Sequence, residues 1–484
     1  MSRTRMSAPP RPRMLQALFN LHRQEIGPVL IVAFFFFCVL SALMVLRPAR
    51  DALGMQAGLD SLRWLFIGTA MVTFAATPLF GLLVSHLRRL QLIGTTYGGF
   101  VLSLITFWGL LMFARESVGD AIGQVFYVWY SVFNLFVTMV FWALLADRFT
   151  SDQGKRFFAL ISMGGTLGAI FGPWLTSQLA APLGTPNLLL VAGGFLLLAL
   201  AAAWLLARVA PDRADAGTSA TTAGFPSEAE RIGGSAWAGI GAVFRSPYLG
   251  GIAIYVLLMA VVATFIYFTR LQMVAAVADD TDMRAAILGN VDMWTQIAVL
   301  ALQLTLTGQI IKRFGLGIAL AILPAATAIG FIGLAIYGSF VVLILLEATN
   351  SAVQRGITRP AREALFTVVS REDKYKAKAF IDTFVYSGGG SGGAQIEGLL
   401  GRLGMGLVAL TGAALPLALI WAALGIWLGR AHARRVVRSP VTVTPADSDG
   451  IHDRPVQCTV HATASRCAKD PTQAVRAPVR EVSP

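Results

Sequence analysis

Three arginines are spaced to share one face of a predicted helix in the second half of the chain. Arg355, Arg359 and Arg362 stand at i, i+4 and i+7, which places their side chains above one another on a helix. A guanidinium donates two hydrogen bonds at once to phosphate, so this stripe predicts binding of an anionic substrate. The alternative for Arg359 and Arg362 is the water interface, where an arginine extends its charge out of the lipid. Arg355 lies deeper, where an ionisable residue usually faces a water-filled pathway or a partner.

Polar side chains precede this stripe on the same helix. Asn350 and Gln354 extend the candidate substrate site, and Glu347 comes one turn before Asn350. A carboxylate within the membrane can carry a coupling proton, so Glu347 and Asp292 are candidate coupling residues. Asp292 and Gln296, four residues apart, predict a second polar patch.

The first apolar segment of the chain ends with two further candidate substrate-binding residues, Arg47 and Arg50. If the helix is broken near Pro48, both arginines face the mouth of a cavity. The alternative is an exposed ion pair of Arg50 with Asp51 or Asp60, which stabilises the fold very little.

The fourth apolar segment carries aromatic and amide side chains on one face. Tyr127, Tyr130 and Asn134 are spaced i, i+3 and i+7. They predict a site that stacks a base and forms hydrogen bonds with its edge. The alternative is an interfacial belt of aromatic residues, although Asn134 lies too deep for such a belt.

The elements that position these residues are predicted membrane-spanning helices. Of the 484 residues, 56% are hydrophobic and 13% are charged, whereas a soluble chain has about 25% charged residues. Because a spanning helix needs about 20 apolar residues, we predict twelve spans. They lie at about 27–47, 62–85, 91–113, 121–145, 157–181, 187–208, 248–272, 286–311, 316–338, 340–361, 377–400 and 403–429. The net charge of +13 is attributed to lysine and arginine in loops on one side of the bilayer, and nucleic acid is therefore not expected as a partner. Because the side with more positive loop charge faces the cytoplasm, both termini are expected there.

The long polar segment 210–246 separates two sets of six spans. The predicted fold class is all-α membrane, with twelve transmembrane helices of the major-facilitator type in two six-helix bundles, N-in and C-in. The predicted domains are a basic cytoplasmic N-terminus (1–26), an N-terminal six-helix bundle (27–209), a cytoplasmic linker (210–246), a C-terminal six-helix bundle (247–436) and a disordered cytoplasmic tail (437–484).

A short motif occurs twice and supports an internal repeat. Arg-Pro-Ala-Arg-Asp-Ala-Leu at 47–53 returns at 359–365 with Glu in place of Asp. The two copies end spans one and ten, which are equivalent helices of inverted repeats and face opposite sides of the membrane. The alternative is chance recurrence of a simple Arg/Ala/Pro string. The fourth and seventh spans also end near an arginine, Arg148 and Arg270.

Cations at the predicted cytoplasmic ends form a candidate gate. Its members are Arg148, Lys155, Arg362, Lys374 and Lys378. The glycine-rich fifth and eleventh spans, at 164–172 and 388–393, predict close helix packing and, as a further interpretation, bending at equivalent positions of the two halves.

Sites for catalysis, metal binding or a cofactor are not expected. The glycine-rich segments lack the Gly-Lys-Ser/Thr ending of a phosphate-binding loop, and the five histidines are scattered. The three cysteines form neither a CxxC pair nor a cluster with histidine. The chain is therefore expected not to be an enzyme.

Two loops resemble those of the ATP/ADP carrier family within the major facilitator superfamily. They are Asp-Arg-Phe-Thr-Ser-Asp-Gln-Gly-Lys-Arg-Phe-Phe at 147–158 and Ser-Arg-Glu-Asp-Lys-Tyr-Lys-Ala-Lys at 370–378; Leu-Arg-Pro-Ala-Arg-Asp at 46–51 is similar to the family's Leu-Arg-x-x-Lys-Asp. The resemblance covers about residues 27–430 and is nearer to members from free-living bacteria. Arg50 stands where nucleotide carriers have lysine, and Tyr130 stands where an acidic residue is expected.

The resemblance implies a secondary-active transporter that exchanges nucleotides, typically ATP for ADP plus phosphate, or another phosphorylated anion. It implies a multi-pass protein of the bacterial inner membrane that works by alternating access. Its partners would be a small anionic substrate and the lipid bilayer, and a monomer is expected. The alternative is a proton-coupled exporter of drugs or metabolites, and a third reading is a non-transporting membrane sensor or assembly partner.

Overall fold

The computed structural model describes residues 25–86, 89–149, 151–209, 241, 243–306, 310–403 and 407–438, and these residues are helical with short connections. The helices are α1 Ile26–Gly54, α2 Leu59–His86, α3 Arg89–Phe113, α4 Arg115–Arg148, α5 Ser151–Leu183, α6 Thr185–Val209, α7 Pro247–Val277, α8 Thr281–Leu306, α9 Ile310–Tyr337, α10 Phe340–Val353, α11 Arg359–Leu365, α12 Arg371–Phe380, α13 Tyr386–Arg402 and α14 Leu407–Arg438. Nearly all of the predicted N-terminus, linker and tail lies outside the described residues.

Eleven helical segments of the described chain are long and apolar enough to cross a membrane. The remaining segment runs through α12 and α13, and its glycines and polar side chains keep it below that hydropathy. It is nevertheless helical from Arg371 to Arg402, so the chain forms the twelve consecutive helical segments that the sequence predicts. The all-α membrane fold is confirmed.

Serines begin three of the helices in the second half. The side chains of Ser246, Ser339 and Ser370 each accept a hydrogen bond from a backbone N–H in the first turn of α7, α10 and α12. This satisfies one of the N–H groups that a helix start leaves without an intrahelical partner. Pro247 follows Ser246 at the first helical position, where its missing N–H costs nothing.

Helix α1 is continuous through Pro48 and ends at Gly54, so the break that was considered near this proline is not present. Neighbouring helices compensate for a proline inside a membrane helix, because they pack around the freed backbone groups. In α1 the surrounding contacts come from α4, α5 and α6. The unbroken helix places Arg47 and Asp51 on one face, four residues apart.

The glycines of α5 allow it to approach α1 closely. A Cβ atom at Gly164 would collide with the carbonyl group of Ala33, and one at Gly168 would collide with that of Phe37. The predicted close packing of the fifth span is therefore confirmed.

Two hydrophobic cores build the two halves of the bundle. The first core includes buried residues of α1, α3, α4, α5 and α6, and the second is formed mainly by α7, α9, α10 and α14. The halves meet where α8 packs on α5 and α1, and where α13 packs on α2. Side chains of α1, α7, α8 and α10 converge along this junction, and it is there that the candidate site lies.

Two π-helical turns interrupt the tenth and eleventh segments. One spans Gln354–Thr358 between α10 and α11, and the other spans Ile381–Val385 between α12 and α13. A π turn changes the direction of the side chains that follow, so the regular spacing predicted from Arg355 to Arg362 is not kept. Such turns are frequent at functional sites.

Three arginines lie inside the bundle rather than in loops. Arg270 is fully buried within α7, Arg63 is buried near the start of α2, and Arg50 is mostly buried within α1. They therefore add no loop charge to the side opposite the predicted cytoplasmic side. The opposite side, which carries the connections after α1, α5, α7 and α13, is called the outer side below.

Candidate functional site

A buried ion-pair network joins the two halves, and Arg270 of α7 lies at its centre. One terminal nitrogen of Arg270 donates to Asp51 Oδ2 of α1 at 2.7 Å, and the other donates to Asp292 Oδ1 of α8 at 2.7 Å. Glu347 of α10 places its Oε2 atom 3.6 Å from the second nitrogen. Because all these groups are nearly excluded from water, each charge needs its partners.

Asp51 is held by groups from both halves. Its Oδ1 atom accepts hydrogen bonds from Arg50 Nε and from the hydroxyl of Tyr267, each at 2.8 Å. The hydroxyl groups of Tyr267 and Tyr127 are 3.1 Å apart. Both oxygens of this fully buried carboxylate are therefore occupied, one of them across the junction by Arg270 and the other by Arg50 and Tyr267.

The ion pair between Arg50 and Asp51 is present, but it is buried rather than exposed. The Arg50 guanidinium lies 4.5 Å from the ring centre of Tyr127 and 4.9 Å from that of Tyr130. Such cation–π contacts are stronger where water is excluded. Both rings are buried, and the Tyr130 hydroxyl donates to the carbonyl oxygen of Leu43 at 2.9 Å. In this conformation the two tyrosines hold Arg50, and base stacking by them stays a prediction.

Arg47 lies at the edge of the network and is open to solvent over 34% of its side chain. Its Nε atom is 3.7 Å from Asp292 Oδ2, which is too long for a hydrogen bond. Arg355 comes from the other half and lies close enough to be influenced by this charge.

The other predicted substrate-binding residues lie nearby on α4 and along the tenth segment. Arg355 stands in the first π turn and is exposed, Arg359 is exposed at the start of α11, and Asn350 is partly exposed. The amide of Gln354 contacts the sulfur of Met259 in α7 at 3.6 Å. Asn134 is exposed on α4, one turn beyond Tyr130. The predicted patch of Asp292 and Gln296 is buried, and Asp292 belongs to the central network.

A second buried ion pair closes the outer side of the junction. Arg63 Nε of α2 donates to Glu397 Oε2 of α13 at 2.8 Å, and Gln272 Nε2 of α7 donates to the other oxygen of Glu397 at 2.5 Å. Arg63 also pairs with Asp60. Glu397 is only 1% exposed, so its charge depends on these donors.

Backbone and side-chain contacts at the helix ends complete this outer seal. Gln56 Nε2 donates to the hydroxyl of Thr281 at 2.8 Å, and the backbone N–H of Thr185 donates to Asp282 Oδ1 at 2.6 Å. Each of these bonds joins one half to the other, from the end of α1 or the start of α6 to the start of α8. The structure is therefore closed on the outer side.

The residues of the predicted cytoplasmic gate are paired differently. Arg362 contacts Asp382 at 3.2 Å, and Lys378 contacts Glu363 at 2.8 Å, so both pairs lie within one half. Arg148 is buried at the end of α4, and Lys374 is partly exposed in α12. Lys155 lies in α5, but its side chain is outside the described part of the structure. The gate stays a prediction for a conformation that closes this side.

Sequence reasoning missed the central roles of Asp51, Tyr267 and Arg270. Asp51 was considered only as a partner of Arg50 in an exposed ion pair, and Arg270 only as an arginine near the end of the seventh span. The available signal was the charge of Arg270 inside the apolar run Pro247–Val277, since a charge at such depth needs a buried partner. Among the described residues, acidic, histidine and cysteine side chains form no cluster that would hold a metal ion.

Comparison with known proteins identifies the fold and the family. Residues 29–277 match the model of the Major Facilitator Superfamily. ADP,ATP carrier protein 1 of Chlamydia trachomatis is 22% identical over 487 residues, which cover 86% of this chain and 91% of the carrier. ADP,ATP carrier protein 1 of Chlamydia muridarum is 23% identical over 464 residues, covering 82% and 86%. The resemblance to ATP/ADP carriers seen in the loops is thus confirmed over most of the chain.

Solved transporter structures share the same fold at low sequence identity. A bacterial homologue of the iron transporter ferroportin in the inward-facing state matches with a TM-score of 0.61 at 13% identity. The match covers 84% of this chain and 100% of that one. A nucleoside transporter matches with a TM-score of 0.54 at 13% identity, covering 86% of this chain and 99% of that one. With more than half of its length matched by the family model and with its twelve helical segments in two packed halves, this chain belongs to the major facilitator superfamily.

Proposed function

We propose that the protein is a secondary-active transporter that exchanges nucleotides of the ATP/ADP type, or another phosphorylated anion, by alternating access. The observation that carries this proposal is that Arg47, at the edge of the network between the halves, and Arg355, on the tenth segment of the other half, are both open to solvent. No described carboxylate lies within hydrogen-bonding distance of either guanidinium group. A substrate that bridges them contacts both halves at once, as alternating access requires.

Electrostatics supports an anion between these two arginines. Two like charges in a space of low dielectric repel one another, and a phosphate group between them replaces repulsion by two attractions. Arginine is suited to this task because its planar fork donates paired hydrogen bonds to phosphate oxygens. Arg359, which follows the π turn in the same segment, is a further exposed guanidinium that a polyphosphate could use.

The names of the similar proteins support a nucleotide as the substrate. Both curated relatives are ADP,ATP carriers, and one structural neighbour is a nucleoside transporter. We infer a location in the bacterial inner membrane from this similarity and from the distribution of loop charge. The carrier needs no chemical step on its substrate, and we propose no enzymatic activity.

Ligand-induced thermal stabilisation tests the substrate class. A ligand that binds the folded state raises its apparent stability by mass action. Purified protein in detergent is heated with ATP, ADP, AMP, adenosine or inorganic phosphate. Stabilisation by the phosphorylated compounds, lost in Arg355→Ala, supports the proposal. Equal melting temperatures with all five compounds in the wild type would contradict it.

Proton-coupled export is a second candidate, favoured by the position of Glu347. Arg270 already donates to Asp51 and Asp292, and Glu347 is a third carboxylate beside the same guanidinium at 3.6 Å. A carboxylate in this position can gain or lose a proton without breaking a hydrogen bond of Arg270. Transport driven by a pH gradient alone, and abolished in Glu347→Gln, would establish this function in place of anion exchange.

A further inference from the structure

Four residues form a closed electrostatic ring between the halves. Arg47 of α1 lies 3.7 Å from Asp292 of α8, which binds Arg270 of α7 at 2.7 Å. Arg270 in turn binds Asp51 of α1 at 2.7 Å. The ring begins at Arg47 and ends at Asp51, four residues later in the same helix. It therefore crosses the junction between the halves twice.

Asp292 has one unsatisfied oxygen in this ring. Its Oδ1 atom accepts the hydrogen bond from Arg270, whereas its Oδ2 atom is buried without a hydrogen-bond partner among the described residues. The charge closest to Oδ2 is that of Arg47, at ion-pair distance. A buried carboxylate oxygen held by so long a contact gains free energy by moving to a better donor. The available donor is Arg270.

We propose that Asp292 couples anion binding at Arg47 to opening of the outer side. This inference rests on the proposed anion-exchange function and names the residue that makes the exchange obligatory. An anion that binds Arg47 accepts hydrogen bonds from its guanidinium group, which then no longer attracts Asp292 Oδ2. Asp292 then turns both oxygens towards Arg270 and competes with Asp51 for that guanidinium. The contact between Arg270 and Asp51 weakens, and with it the closure of the junction.

Glu347 also attracts Arg270 away from Asp51, because it lies beside the nitrogen of Arg270 that binds Asp292. Arg50 lies in the same helix as Asp51, so this carboxylate keeps a charge partner when Arg270 and Tyr267 of α7 move away. The outer side can therefore open without leaving a buried charge alone. Asp292 is a positioning residue in this scheme, since Arg47 and Arg355 are the residues that contact the anion.

The ring also explains why an empty carrier would stay closed. Without an anion, Arg47 remains with Asp292, and Arg270 remains shared between Asp292 and Asp51. The contact between Arg47 and Asp292 is lost only when an anion is bound. A carrier with this property exchanges one anion for another and does not release anions into an empty compartment.

The test measures outer opening directly, with ADP as the probe. Thr281→Cys places a thiol in the outer seal, in a chain where Cys458 and Cys467 are replaced by serine and Cys38 stays buried. A membrane-impermeant maleimide reports exposure of this thiol from the outer side. We expect ADP to increase the labelling rate about fivefold or more. In Asp292→Asn the rate should no longer depend on ADP, and Asp292→Glu should restore part of the dependence.

Glu363→Gln is the matched control, since Glu363 pairs with Lys378 within one half and outside the ring. It should keep the full response to ADP. An ADP response of Asp292→Asn equal to that of the reference would overturn the inference. So would an unresponsive reference protein that nevertheless exchanges ADP in liposomes. If the reference exchanges no phosphorylated solute at all, the proposed function itself fails, and the inference falls with it. Because the readout compares labelling with and without ADP in each folded variant, a general loss of stability does not imitate the expected result.

Discussion

Asp51 of α1 and Arg270 of α7 form a fully buried ion pair that joins the two halves of the protein at 2.7 Å. Each residue also has a partner in its own half. Arg50 donates to the carboxylate of Asp51, and Asp292 accepts from the guanidinium of Arg270. It is one of several contacts between the halves, together with those of Arg63 with Glu397 and of Gln56 with Thr281.

Replacement of Asp51 by asparagine should destabilise the closed conformation. Removal of one partner from a buried ion pair costs about 3–5 kcal/mol, because the other charge stays buried. The melting temperature of Asp51→Asn in detergent should fall, and its outer side should become more accessible to impermeant reagents. Asp60→Asn is the control, since the Asp60 side chain is 61% exposed and its pairs contribute little. Equal melting temperatures of the two variants would show that the buried pair does not hold the halves together.

Replacement of Arg355 should weaken substrate binding while leaving the fold intact. Arg355 is exposed in the π turn, and a charge-assisted hydrogen bond contributes about 1.5–3 kcal/mol. Arg355→Ala should therefore raise KM for exchange roughly ten- to hundredfold. Arg355→Lys keeps the charge but loses the paired donors, so an intermediate KM is expected. Arg402→Ala alters an arginine that is 65% exposed at the outer end, and it should leave KM unchanged. Unaltered exchange by Arg355→Ala would remove this residue from the site.

A cross-link across the outer seal should stop transport. The side chains of Gln56 and Thr281 meet at 2.8 Å although they come from different halves. The double variant Gln56→Cys/Thr281→Cys should be cross-linked by a short bis-methanethiosulfonate reagent, which spans the length that the Gln56 side chain bridges, and exchange should stop because the outer side cannot open. A reducing agent should cleave the cross-link and restore exchange to the level of the untreated sample. Full activity of the cross-linked protein would mean that this seal does not open during the cycle.

The sequence was sufficient to predict the architecture of this chain. Hydropathy and loop charge predicted twelve helical segments in the right order, since membrane helices leave long apolar runs between polar loops. The glycines of the fifth span predicted close packing, which Gly164 and Gly168 show against α1. These features depend on residues that are near one another in the chain.

The site was only partly predictable, because its connections join distant parts of the sequence. Asp51 and Arg270 are 219 residues apart, and no local pattern indicates that they meet. The π turn at Gln354–Thr358 was also missed, because spacing arguments assume a regular α-helix throughout. The pairing of Arg63 with Glu397 follows from the same tertiary packing and had no signal in either segment.

The close contact between α5 and α1 gives a prediction about stability. In Gly164→Ala the added methyl group meets the backbone carbonyl of Ala33, so the two helices have to separate. Overpacking of this kind costs about 1–3 kcal/mol. Gly194→Ala is the matched control on α6, because nothing lies within 4 Å of its added Cβ atom. The first variant should melt at a lower temperature than the second, and the reverse order would contradict the packing described here.

Counter-exchange in proteoliposomes tests the proposed function most directly. Vesicles that contain the purified protein and are loaded with ADP are mixed with labelled ATP, and uptake is compared with that of empty vesicles and of vesicles with Arg355→Ala. We predict rapid uptake that requires internal ADP or phosphate and is lost with Arg355. Absence of exchange for ATP, ADP and phosphate alike, by protein that is folded in the membrane, would contradict a carrier of phosphorylated anions.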